Sequence, residues 1–143
     1  MRKIFLISML SLFVFCSTGY AELIDNGDGT VTDTKTGLMW QKAEAGTKPW
    51  EAALAYCETL GLAGHSDWRL PDRSELQSLF DSIYNNPSIN KTAFSDAMSS
   101  GYWSSNTYAD NTGYAWAVYF GDGDDYAVDK HIGRDVRAVR GVK

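Results

Sequence analysis

The stretch Asp67-Trp68-Arg69-Leu70-Pro71-Asp72-Arg73-Ser74-Glu75-Leu76 constrains this chain more than any other. The ring of Pro71 disfavours helical geometry at the residue before it, so Leu70 is expected to be extended. Asp72 suits an N-cap, and Glu75 three residues on completes a capping-box pattern with Asp in the place of Ser or Thr. Leu76, Leu79, Phe80 and Ile83 then recur at helical spacing. The spacing predicts a helix over 73–84, ended by Asn85-Asn86-Pro87. Trp68 and Leu70 are expected to bury, which leaves Arg69 between them in need of a carboxylate or carbonyl partner. The segment is read as the lock between two helices and a later sheet.

The other helix is predicted over 49–60. Thr47 is a candidate cap, and Pro49 is tolerated in a first turn. Trp50, Ala53, Leu54 and Cys57 mark its apolar face, and Gly61 is placed to stop it. Trp50, Leu54, Trp68, Leu76, Leu79 and Phe80 are expected to be buried together. Cys57 lies on the same face, where a free cysteine behaves as a small hydrophobe. A catalytic thiol would need a neighbouring base, and neither His65 nor His131 has a recognisable partner.

The remainder reads as β structure. Asn26-Gly27 and Asp28-Gly29 are turn signals, and Asp33 to Gly37 is a second turn. Val31 and the run Leu38-Met39-Trp40 form short strands beside them. Asp25, Asp28 and Asp33 lack the spacing of a calcium-binding EF-hand loop. After a polar, irregular stretch over 88–100, anchored by Ile89 and Phe94, comes the short strand Tyr102-Trp103-Ser104-Ser105. Tyr114 to Phe120 places Tyr114, Trp116, Val118 and Phe120 on one face, and Gly121-Asp122-Gly123-Asp124 is a hairpin turn into Tyr126-Ala127-Val128. Val136 to Arg140 alternates apolar and basic residues and reads as a closing strand. The expected class is α+β: two helices packed on a small, mainly antiparallel twisted sheet with long loops.

Arg2 and Lys3 precede an apolar run from Ile4 to Phe15 that is too short to span a bilayer, and Ala21 follows Gly19 and Tyr20. Residues 1–21 therefore read as a secretory signal cleaved after Ala21, and 22–143 as a single exported domain. That would place the domain in the periplasm, at the cell surface or outside the cell. Eleven basic and eighteen acidic residues remain after such cleavage, a net charge of −7. Nucleic acid, whose phosphates need clustered Lys and Arg, is not an expected partner. Five Trp and eight Tyr supply either a small core or an aromatic binding face.

Several motifs in order carry a resemblance: Gly29-Thr30-Val31-Thr32-Asp33, Thr36-Gly37-Leu38-Met39-Trp40, Asp67-Trp68-Arg69-Leu70-Pro71, Glu75-Leu76, Tyr102-Trp103-Ser104-Ser105, Ala115-Trp116 and Val136-Arg137-Ala138-Val139-Arg140-Gly141. Through them the chain resembles the Lcl C-terminal domain family of exported bacterial modules. The resemblance implies a C-type-lectin-like fold, distantly similar to formylglycine-generating sulfatase-modifying enzymes. Those enzymes use paired cysteines, where 22–143 holds only Cys57. The sugar-binding triplets of calcium-dependent C-type lectins are absent. The namesake adhesin recognises glycosaminoglycans, and none of its ligand motifs can be matched here.

The expected function is a non-catalytic binding or adhesion module for a glycan or an envelope or surface protein. The alternatives are an enzyme of the sulfatase-modifying type and a structural subunit of an envelope assembly. By analogy with lectin-like folds, the ligand is expected on the late loops and strands, at Trp103, Asn106, Tyr108, Asp110, Asn111, Asp122, Asp124 and Asp125, beside Tyr114 and Trp116. Those carboxylates and amides suit calcium or sugar hydroxyls. Trp40, Trp50, Cys57, Trp68, Arg69, Leu70, Pro71, Glu75, Arg137 and Arg140 are expected to be structural.

Overall fold

The computed structural model describes residues 22–141; the signal expected over 1–21 lies outside them. In chain order the elements are β1 (Leu23–Asp25), β2 (Thr30–Asp33), β3 (Leu38–Gln41), β4 (Thr47–Lys48), α1 (Trp50–Thr59), α2 (Arg73–Ser78), β5 (Gly101–Thr107), β6 (Tyr114–Tyr119), β7 (Asp125–Asp129), β8 (Arg134–Asp135) and β9 (Val139–Gly141). The described residues form an α+β fold, with two helices and with two sheets rather than the one expected. Strands β1-β2-β3-β9 form an antiparallel sheet. Strands β4-β8-β5-β6-β7 form the other, antiparallel except where β5 and β8 run parallel. No helix among the described residues is long and apolar enough to cross a membrane.

The predicted hairpins are present. Gly27 and Gly29 adopt φ of 74° and 88°, the left-handed geometry their turn demands, and the Asp28 carboxylate caps it by accepting from the Thr30 amide at 3.1 Å. Three strands were not foreseen. β1, β4 and β8 have two or three residues each, too few to show a period of two, and exist because partners elsewhere in the chain supply their hydrogen bonds. The predicted strand over 136–140 is also corrected. Only Val139–Gly141 forms a strand, because the Val136 and Ala138 carbonyls are taken by the Ala45 and Gln41 amides as the chain passes from one sheet to the other.

α1 keeps its predicted bounds within a residue, but Thr47 does not cap it. Thr47 belongs to β4 and donates its hydroxyl to Asp135 at 2.8 Å, and Pro49 occupies the cap position without a side-chain bond. Leu60 ends the helix by returning its amide to the Cys57 carbonyl. α2 has its full capping box at Asp72 and Glu75 but stops at Ser78, six residues short of the expected end. The Leu79 and Phe80 amides turn to carbonyls three residues back, and the Asp81 carboxylate takes the Ile83 amide at 3.0 Å in a tight turn of its own. Ile83, expected on the buried face, is left 84% exposed.

The single core expected around both helices is in fact two. Leu76 and Leu79 of α2 pack with Ile89, Phe94, Tyr102, Val118, Phe120, Val31, Trp40 and Val139. Trp50, Ala53 and Cys57 of α1 pack with Trp68, Leu70, Trp103, Ala115, Ala117 and Val136. Tyr102 and Trp103, adjacent in β5, go to different clusters, as do Val118 and Ala117 in β6. The two clusters therefore cover opposite faces of one sheet, with one helix on each. Leu54 and Phe80 are only partly buried, one at the margin of each cluster. Tyr114 and Trp116 share a face with Val118 and Phe120 but stay half-exposed, Trp116 beneath the Arg73 side chain at the start of α2 rather than under its apolar face.

The 67–76 stretch does more than tether helices. Arg69 exchanges both backbone hydrogen bonds with Val139 at 2.9 Å, and Pro71 accepts from the Ser105 amide at 2.8 Å. It thereby staples β9 of one sheet to β5 of the other. Trp68 and Leu70 are buried as expected, each 2% exposed, and burying a side chain of this size stabilises by about 1.5–3 kcal/mol.

Candidate functional site

The start of α2 positions the side chains around an open depression. Glu75 reaches back to the Asp72 amide at 2.8 Å, and Asp72 accepts from the Glu75 amide at 2.8 Å. Burial pushes the Asp72 carboxyl up, but the Glu75 amide, the Ser74 hydroxyl and Arg69 outweigh it and hold the group below the ordinary aspartate value. Arg69 forks onto Glu75 at 2.8 and 2.6 Å, which supplies its expected anionic partner. With the cap fixed, Arg73 opens the helix. Its amide donates to Asn106 Oδ1 at 2.7 Å, its Nε lies 3.1 Å from Asp125 Oδ2, and its guanidinium stacks 4.5 Å from the Trp116 ring centroid. Gln77 Nε2 donates to the same Asp125 oxygen at 3.2 Å. Tyr108 stands edge-on to Trp116 with centroids 5.2 Å apart at 89°. Between α2 and β5 these groups border a depression of about 350 Å³, lined by Asp72, Arg73, Ser74, Gln77, Asn106, Thr107 and Trp116.

The expected ligand residues divide into three sets. Asn106 and Trp116 line the depression and Tyr108 and Asp125 contact its walls. Trp103 is corrected: it is fully buried, with its indole N–H donated to the Lys48 carbonyl at 2.8 Å, so no ligand reaches it. The remaining acidic and amide groups lie at the two ends of β6 and do not converge. Asn111 folds onto the Gly113 amide at 3.0 Å, and Asp110 accepts from Tyr108 at 3.2 Å. At the other end, Asp122 takes the Asp124 amide at 2.9 Å and the Tyr126 hydroxyl at 2.8 Å, with Asp124 exposed beside it. Six residues of strand, roughly 20 Å, separate the two turns. Among the described residues no group of three or more Asp, Glu, His or Cys side chains is placed to hold a metal ion.

Arg73 and Gln77 were not anticipated. One signal for Arg73 was present: a cation in the first turn of a helix opposes the helix dipole, so its position needs another cause. Trp116 and Asp125 provide that cause. No local pattern marked Gln77, whose partner is 48 residues away.

Trp40 is fully buried, and Trp50 donates to the Ser104 carbonyl at 2.8 Å. Arg140 clasps Asp67 at 2.6 and 3.1 Å. Arg137 is 1% exposed beneath the 41–44 backbone. The Cys57 thiol is buried, and burial first, with Glu58 adding and Lys48 opposing, pushes it up to about 12. A thiol held there is neutral at physiological pH and a poor nucleophile.

The Lcl C-terminal domain family model matches residues 29–140, and the chain belongs to that family. No curated protein matches the chain.

Proposed function

Starting from membership of the Lcl C-terminal domain family, we propose that the chain is an exported, non-catalytic binding module of C-type-lectin-like fold, whose carbohydrate ligand seats in the depression between α2 and β5. One observation carries the reading: a half-exposed Trp116, fixed from two sides by Arg73 and Tyr108, borders a hollow rimmed by amide, hydroxyl and carboxylate groups. An aromatic face with convergent polar groups on a rigid scaffold is the arrangement that takes a sugar ring. The buried Cys57 supports a non-catalytic role. The two helices against antiparallel strands, with the long irregular segment 79–100, are compatible with the lectin-like arrangement that family membership implies. The basic start, apolar run and small residue at Ala21 support export.

A glycan array run in calcium and again in chelator tests the proposal. Binding is expected in both conditions, since the carboxylates of the late loops do not gather around one point. Trp116→Ala should weaken it about tenfold, the equivalent of the ~1.5 kcal/mol an aromatic contact supplies. Retention on no glycan, or undiminished binding by Trp116→Ala and Arg73→Ala together, would overturn it.

A further inference from the structure

The described chain passes between the two sheets twice, from β3 to β4 over 42–46 and from β8 to β9 over 136–138. Both passages meet at Arg137. Its Nη1 donates to the Gln41 carbonyl at 2.9 Å and to the Lys42 carbonyl, and its guanidinium Cζ lies 4.5 Å from the Phe94 ring centroid. Its Nη2 is shared between Glu44 Oε1 at 3.3 Å and Asp96 Oδ1 at 3.1 Å, and its buried Nε has no hydrogen-bond partner among the described residues. Asp96 Oδ2 also accepts the Glu44 amide at 2.6 Å, and the Ala45 amide donates to Val136 at 2.9 Å. From β5, Tyr102 donates its hydroxyl to the same Glu44 oxygen. From β8, Asp135, engaged by Thr47 and Ser100, adds a third carboxylate to the surroundings of Glu44. Lys42, the nearest further cation in sequence, is paired with Asp25 at 2.6 Å instead.

One buried cation thus serves several carboxylates, and a neutral Glu44 relieves the imbalance. The geometry accommodates the proton. Oε1 accepts from Arg137 and Tyr102, the Met98 amide beside the carboxylate favours its charged form only as the smallest of the influences on it, and the side chain retains 12% exposure, enough to exchange protons with water. A proton on Oε2 therefore leaves the bonds from Arg137 and Tyr102 to Oε1 in place.

We propose that Glu44, Arg137, Asp96 and Tyr102 form a proton-operated clamp across the joint between the sheets: Glu44 takes up a proton on mild acidification, and the 42–46 passage is held more firmly than at alkaline pH. The direction agrees with the environment of the carboxyl. Burial first, with Asp135 and Asp96 adding and Arg137 opposing, raises it to about 7 from the ordinary 4.5. Between those values the folded protein binds more proton than the unfolded chain, so stability grows as pH falls through 7 and the gain is complete below 4.5. Asp96 does not compete in this window. Burial pushes it up, but the Glu44 amide and Arg137 outweigh that and keep it below the ordinary aspartate value.

The test is a carboxyl 13C NMR titration of the protein, with Glu44→Gln to assign the signal, alongside thermal melts of both at pH 5.5 and 8. The Glu44 midpoint is expected near 7. Wild type should gain melting temperature on acidification beyond any gain of Glu44→Gln, which carries a permanently neutral isostere. Amide protection factors at Glu44 and Ala45 should be higher at pH 5.5 than at 8. A midpoint in the ordinary glutamate range, or equal pH responses of the two proteins, would overturn the clamp. Should Glu44→Gln fail to fold, the titration and the protection factors of wild type decide alone.

Discussion

Two arginines fasten loops in this molecule by different means. Arg69 sits at the entry to α2 with its side chain 46% exposed, and forks onto Glu75, one carboxylate for one cation with good geometry. Arg137 sits at the joint between the sheets, 1% exposed, with two carbonyls, two shared carboxylates and an Nε that has no partner among the described residues. The tidier pair is in the wetter place. Water screens Arg69 and Glu75 whether or not they meet, so their pairing adds little. Arg137 has given up its hydration, so its contacts are strong, and removing the guanidinium itself leaves buried groups without their partner. Neatness of geometry is therefore a poor guide to what holds the fold; burial decides.

The largest effect expected from breaking this contrast is at Arg137. Arg137→Ala strands Glu44 and Asp96 and opens a void against Phe94, and should cost about 3–5 kcal/mol in urea unfolding. A cost below ~1 kcal/mol would show the seam to be hydrated and the contrast false. Asp72→Ala comes next. It removes the cap but leaves Glu75 free to pair with Arg69, and should cost about 1 kcal/mol. Because Asp72 titrates below the ordinary aspartate value, its contribution is present at neutral pH and fades as pH falls through that lowered value, so the difference from wild type should shrink in acid. Smallest is Arg69→Lys, which keeps the charge and loses the fork, at about 0.5 kcal/mol. A double-mutant cycle with Glu75→Gln sharpens the point: coupling above ~2 kcal/mol would place Arg69 with Arg137 rather than against it.

The arginine at 69 was legible in the sequence, and the one at 137 only as a structural residue. The reason is range. Arg69 finds Glu75 six residues away across a cap whose pattern is local, whereas Arg137 finds Gln41, Glu44 and Asp96 through the folding of the whole chain. The same divide runs through the elements. The apolar face of α1 and the Asp72 cap were readable from spacing. The early end of α2 was not, since Asp81 turning onto Ile83 competes with a pattern that continued through Ile83. Nor was the split of the core, because alternation along β5 and β6 does not say that both faces are covered. At the candidate site, Asn106, Tyr108, Trp116 and Asp125 came from the expected region, while Arg73 and Gln77 arrived from α2. Asp110, Asn111, Asp122 and Asp124 were ambiguous by nature, since the chemistry that coordinates a ligand also closes a turn.

The closure of the first sheet by β9 has a kinetic side. Met39 pairs with Arg140 and Trp40 with Val139, about a hundred residues apart along the chain, and the bridge from Arg69 to Val139 depends on the same strand. The early β1-β2-β3 meander can form from neighbours alone, but its fourth strand, the staple at 69 and the cover over Trp40 must wait for residues 139–141. Such distant pairings carry a large loop-closure cost before any reward, so folding is expected in the milliseconds-to-seconds range of β-rich topologies, with the meander as an early and incomplete part. Pairing of β9 with β3 is thus a late step in forming this core, and a chain lacking β9 would retain its local hairpins with an unfinished core.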